Sequence, residues 1–163
     1  MIHKHHSNVS LGIDFFFVKG NIFFHAKSNK INFITAQYCT SRSLRTIITA
    51  LEKVMNKDSA RSSNITEYHA DNDFDKSVLR DFLEPVLLHI YSRKEHVGPI
   101  ERPIHTIRER WRSTSNGIPY RRITILMVRW IVEGIVEILN TFPSEGCISD
   151  TLSPSTIVEG KQK

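Results

Sequence analysis

The stretch Ile65-Thr66-Glu67-Tyr68-His69-Ala70-Asp71-Asn72-Asp73-Phe74 decides the architecture. Its first six residues read as a buried strand. Asp71 then falls at the strand's carboxyl end, just before a helix begins. A second carboxylate lies upstream. Asp14 sits within Leu11-Gly12-Ile13-Asp14-Phe15-Phe16-Phe17-Val18, a run apolar enough for a central sheet strand. An ionised carboxylate there is costly unless something pairs it, and a metal ion is the usual solution. A third lies downstream, where Glu101 opens the helical pattern Glu101-Arg102-Pro103-Ile104-His105-Thr106-Ile107-Arg108-Glu109-Arg110-Trp111-Arg112. Two strand aspartates and one helix glutamate, in that order, are the ligand types of a two-metal phosphoryl-transfer site.

The rest of the chain supplies a frame for these three residues. From Leu11 to Ala36 there are three strand-like runs, turned at Lys19-Gly20-Asn21 and at Lys27-Ser28-Asn29-Lys30, which predicts an antiparallel meander. Leu44, Ile47, Ile48, Leu51, Val54 and Met55 then follow helical spacing, with Thr40, Ser41 or Ser43 as the cap. After the strand at 65–70, a short helix is expected over about 74–83 with Asp73 as its N-cap. Glu84-Pro85 breaks that helix, and Val86-Leu87-Leu88-His89-Ile90 makes a fifth strand. Strands separated by helices imply parallel pairing through right-handed crossovers. Two longer helices follow, about 99–115 and 120–140. The fold class is therefore α/β, a five-stranded mixed sheet of three antiparallel strands and then two parallel ones, flanked by helices.

Composition narrows the function. The 163 residues make about one domain, and 22 Lys+Arg against 17 Asp+Glu leave a net charge of +5, which leans toward a polyanionic partner. Cys39 and Cys147 are the only cysteines, so neither a disulfide framework nor a cysteine zinc knuckle is supported. Residues 1–10 are polar and His-rich, without the apolar core of a signal peptide, and are expected to form a disordered tail. Residues 11–143 form the predicted core, and 144–163 an irregular C-terminal tail. Between Ile123 and Leu139, Arg129, Glu133 and Glu137 recur every four residues, so this apolar segment is a packing helix and not a membrane span.

Local motifs sharpen the reading. Gly12-Ile13-Asp14-Phe15 with Val18-Lys19-Gly20, His69-Ala70-Asp71-Asn72-Asp73-Phe74, Glu95-His96-Val97 through Glu101-Arg102, Leu139-Asn140-Thr141-Phe142-Pro143 and Leu152-Ser153-Pro154 occur in this order. Together they resemble the integrase catalytic core of copia-type LTR retrotransposon polyproteins, related to retroviral integrases. The resemblance runs from about Gly12 to Gly160. It implies a ribonuclease H-like fold and Mg²⁺-dependent DNA chemistry, with Mn²⁺ as a substitute. In that chemistry, 3′-end processing frees a hydroxyl at the element end, and the hydroxyl attacks a target phosphodiester. Asp14, Asp71 and Glu101 would be both the catalytic residues and the metal ligands, Asp14 bridging two ions. Double-stranded DNA, as element ends and target, is the implied partner, and the nucleus is the implied place of action, with the cytoplasm otherwise.

The helix that opens with Glu101 carries a second argument. Glu101, His105, Arg108 and Arg112 share one face, beside the apolar stripe Ile100, Ile104, Ile107 and Trp111. His105, Arg108 and Arg112 are thus candidates to bind DNA near the metals. Lys4, Lys27, Lys30, Arg42 and Arg45 are candidates to extend a phosphate-binding surface.

Each residue has a plainer reading as well. Asp71 is also a helix cap, Glu101 a first-turn acid that complements the helix dipole, and the basic face a solvated one. Pro103 departs from the integrase pattern: either it costs the helix about 3 kcal/mol, or the helix starts there and leaves Glu101 in the loop. With no flanking domains evident in the sequence, the resemblance extends to a truncated or decayed copy. The alternative function is a catalytically inactive nucleic-acid-binding relic. The helix bearing Trp130 serves either the core or a homo-oligomer interface.

Overall fold

The computed structural model describes residues 8–59, 64–92 and 98–159. Lys4, the Glu95-His96-Val97 motif and most of the expected N-terminal tail lie outside the described residues. The strands are β1 (Asn8–Val18), β2 (Asn21–Ser28), β3 (Ile34–Cys39), β4 (Asn64–Asp71) and β5 (Leu87–Tyr91). The helices are α1 (Leu44–Ser59), α2 (Ser77–Leu83), α3 (Gly98–Asn116), α4 (Ile125–Thr141) and α5 (Pro154–Glu159). The sheet runs β3-β2-β1-β4-β5, with β1, β2 and β3 antiparallel and β1, β4 and β5 parallel, as the element order predicts.

Period-two alternation splits β1 between two cores. Leu11, Ile13 and Phe15 join Tyr68, Ala70 and Phe24 on the face covered by α1 and α2, whereas Phe16, Val18 and Phe23 meet Ile100, Ile104, Ile107, Val128, Val132 and Ile135 of α3 and α4. Asp14 points to the second face. The β1–β2 turn places Lys19 (φ 48°) and Gly20 (φ 78°) in the left-handed region, the conformation of a tight hairpin. At the sheet edge, Asn140 of α4 accepts from the Ile34 N–H at 2.8 Å and donates to the Ile34 carbonyl at 2.7 Å, occupying backbone groups of β3.

Several boundaries differ from the sequence reading. α2 starts at Ser77, not near residue 74, and no side chain caps it. Asn72–Phe74 is instead a 3₁₀ turn whose N-cap is Asp71. The competing force is burial of Phe74, which stacks on Phe15 at 5.3 Å and ties the turn to the sheet. α4 starts at Ile125, where Thr124 Oγ1 accepts from the Met127 N–H at 3.3 Å. The C-terminal segment expected to be irregular contains α5, with Ile157 and Val158 buried. The first strand reaches back to Asn8, inside the expected tail.

Pro103 lies inside α3 and is buried, so the helix passes through it and keeps Glu101 in its first turn. Trp130 is 63% exposed, beside the exposed Leu126 and Ile138, while Val128, Val132, Ile135 and Val136 fill the core. Trp130 therefore does not belong to the core. Among the described residues, no helix is long and apolar enough to cross a membrane.

Candidate active site

The site is built where β1 and β4 run parallel. Gly12 pairs with His69, so Asp14 and Asp71, each two residues further on, come to the same sheet face. Asp71 ends β4, and in open α/β sheets the carboxyl ends of parallel strands are the usual place for a ligand, whereas Asp14 lies within β1. Asp14 is half-buried, and its Oδ1 accepts from the Phe15 N–H at 2.6 Å. Asp71 Oδ1 accepts from the Asp73 N–H at 3.0 Å, so the plainer reading of Asp71 as a cap is part of its role. Asp73 Oδ2 in turn pairs with Arg42 Nη1 at 3.0 Å, and the Arg42 guanidinium lies 5.7 Å over the Phe17 ring.

Helix α3 brings the third acid. Ile100, next to Glu101, fills the space over Gly12, where a Cβ would come within 2.5 Å of its Cγ1. Gly12 thereby allows α3 to approach β1 next to Asp14. The electrostatics record the convergence: burial, then the charges of Asp71, Asp73 and Glu101, push the Asp14 carboxyl up to about 6 against the opposing pull of the Phe15 N–H. Asp14, Asp71 and Glu101 are thus brought to one region, and Asp73 joins them. The sequence reading takes Asp73 for a cap of α2. The alternating i, i+2 pattern through Asp71 offers no signal for it, because Asp73 lies past the strand.

Among the described residues, no three His, Cys, Asp or Glu side chains are arranged so as to grip a metal ion. The basic residues of α3 divide. His105 lies one turn beyond Glu101 and 3.5 Å from the Glu109 carboxylate, Arg108 is half-buried, and Arg112 is exposed further along the helix. Ile100, Ile104, Ile107 and Trp111 form the buried stripe, as the spacing predicts.

A cleft of about 800 Å³ opens beside Glu101, with Arg102 and His105 on one wall and Lys27, Asn29 and Asn32 on the other. A second cavity, of about 570 Å³, lies between β3, α4 and α5 and touches none of the site residues. On the same sheet face as Asp71, His69 Nδ1 is 2.8 Å from the Tyr91 hydroxyl and His69 Nε2 is 3.4 Å from Glu67, with the His69 and His89 rings stacked at 5.2 Å. Strand alternation places Glu67, His69 and Asp71 in one row, a signal present in the sequence itself.

No family model matches the sequence, and no curated protein does. Among solved structures, the catalytic core domain of BIV integrase superposes with a TM-score of 0.69 over 93% of this chain and 93% of its own, at 11% identity. The chain therefore has the ribonuclease H-like fold of a retroviral integrase catalytic core.

Proposed function

We propose that this chain is the catalytic core of a DNA integrase of copia-type retrotransposon origin, acting on double-stranded DNA. The observation that carries the reading is the convergence of Asp71, Asp73 and Glu101 on the half-buried Asp14, whose ionised form is disfavoured where it stands. A hard divalent cation is the partner that such a carboxylate set suits, and Asp14, Asp71 and Glu101 would hold Mg²⁺ or Mn²⁺. When bound, the ion supplies Lewis-acid stabilisation to the attacking and leaving oxygens of phosphoryl transfer.

The chain's own residues have separate tasks. Asp71, by accepting from the Asp73 N–H, fixes the turn that carries Asp73 and Phe74. Arg42, held between Asp73 and Phe17, sets a guanidinium beside the carboxylates, where a phosphate would meet it. His105, Arg108 and Arg112 would hold the DNA backbone along α3. A homo-oligomer would use the exposed Leu126, Trp130 and Ile138 of α4, and the site of action would be the nucleus.

The inactive, nucleic-acid-binding reading also has an observation in its favour: Asp71 already serves as a cap. The test is reversal of strand transfer on branched DNA with Mg²⁺ or Mn²⁺, comparing the wild type with Asp14→Asn and Glu101→Gln. Metal-dependent turnover lost by more than about 100-fold in both variants supports the integrase. Folded protein without turnover, and without metal-dependent stabilisation, supports the relic.

A further inference from the structure

We propose that the cleft between the start of α3 and the β2–β3 turn is a subsite for a backbone phosphate of the DNA, held by Lys27 and Arg102. This rests on the DNA reading above but assigns residues outside the carboxylate set and outside the basic face of His105, Arg108 and Arg112. The walls come from distant parts of the chain. Lys27 pairs with Gly12 on β1 and Ile34 on β3, on the sheet face that carries Asp14. Arg102 follows Glu101 on α3, and the two cations line one cleft of about 800 Å³, room for a sugar-phosphate unit.

The turn wall is held in place before any ligand arrives. Asn29 donates from its backbone N–H to the Ser10 carbonyl at 3.0 Å and from Nδ2 to Ser10 Oγ at 3.0 Å. Asn32, at φ 59°, donates from Nδ2 to the Glu145 carbonyl at 3.2 Å and from its N–H to the Ser28 carbonyl at 3.0 Å. Such a wall loses little freedom when a ligand binds. Two cations meet in this cleft: burial and then the Arg102 charge disfavour the Lys27 ammonium, and a phosphate between the two would offset their mutual repulsion. The carboxylates of Glu101 and Glu145 also line the cleft and work against it.

These opposed charges give the test two signs. Anisotropy of a labelled duplex is measured across a salt series without divalent cations, so that the carboxylate site contributes no bound metal. Lys27→Met and Arg102→Met are each expected to weaken binding roughly 3- to 10-fold and to lower the salt slope by about 1, the release expected for one phosphate contact. Lys27→Arg should keep the slope, and Glu145→Gln should tighten binding by roughly 2-fold. Wild-type slopes in both Met variants, with Arg108→Ala still lowering the slope, would overturn the subsite and leave the DNA reading standing. Absence of duplex binding by the wild type would overturn both. Inorganic phosphate that raises the melting temperature of the wild type but of neither Met variant, without displacing the duplex, would reassign the cleft to a small free anion.

Discussion

Ile100 of α3 rests on Gly12 of β1 so closely that a methyl group at residue 12 would lie 2.5 Å from Ile100 Cγ1 and 2.7 Å from its Cδ1. Ile100 is 4% exposed, so it has little room to retreat. The contact sits two residues from Asp14 and one from Glu101, and it sets how the helix acid approaches the strand acid. Gly12→Ala is expected to cost about 1–3 kcal/mol by overpacking. Turnover in the branched-DNA assay should fall further than the melting temperature alone accounts for, because α3 moves as a unit. Equal melting and equal turnover in variant and wild type would show that α3 tolerates the shift.

Asp14 and His25 are neighbours across β1 and β2, and their ionisations pull stability in opposite directions. Burial, then the Lys27 charge, holds the His25 imidazole down at about 3, against an ordinary 6.5. As pH falls below 6.5 the unfolded chain takes up a proton that the folded one refuses, and stability drops until about pH 3. Asp14 is raised from 3.8 to about 6, so its contribution is full below 3.8 and is lost as pH rises through 6. Each acts at up to about 1.4 kcal/mol per pH unit within its window, less for Asp14, which water partly reaches. Urea unfolding between pH 4 and 6 should therefore rise more steeply with pH in Asp14→Asn than in the wild type. In His25→Leu it should rise less steeply or fall. Parallel curves for all three proteins would contradict the assignment.

Asn140 serves both backbone groups of Ile34 at the open edge of the sheet. Replacing it with Ala leaves a buried donor and acceptor without this partner, at a cost of about 2–4 kcal/mol. The Ile34 amide should lose hydrogen-exchange protection ahead of β1 and β4. Retained protection at Ile34 would mean that water replaces the side chain.

Pro103 removes one backbone bond within α3 yet does not end the helix. Pro103→Ala restores that bond but surrenders the packing of a buried ring, for an expected net gain of about 1 kcal/mol. Glu101 stays in the first turn either way, so metal-dependent stabilisation by Mg²⁺ should be the same in both proteins. A gain in metal response on removing the proline would place the proline's distortion at the site.

Strand and helix identities were legible because burial alternates locally. The runs around Asp14 and Asp71, and the stripe Ile100, Ile104, Ile107 and Trp111, write their own periodicity, and the parallel pairing of β1 and β4 follows from the helices between strands. Two strand aspartates followed by a helix glutamate could be anticipated on that basis. The ends of the elements could not. Phe74 is drawn under Phe15 and delays α2, and the six residues of α5 are too few to show a period until Ile157 and Val158 find the core. Proximity across the chain was equally hidden. Asp73 joins Asp14, and Lys27 faces Arg102 across one cleft, only because the sheet order and the seat of α3 on Gly12 bring distant segments together. Local pattern determines which face of an element is apolar. Which charges then confront each other depends on how those faces pack, and that is a property of the folded chain.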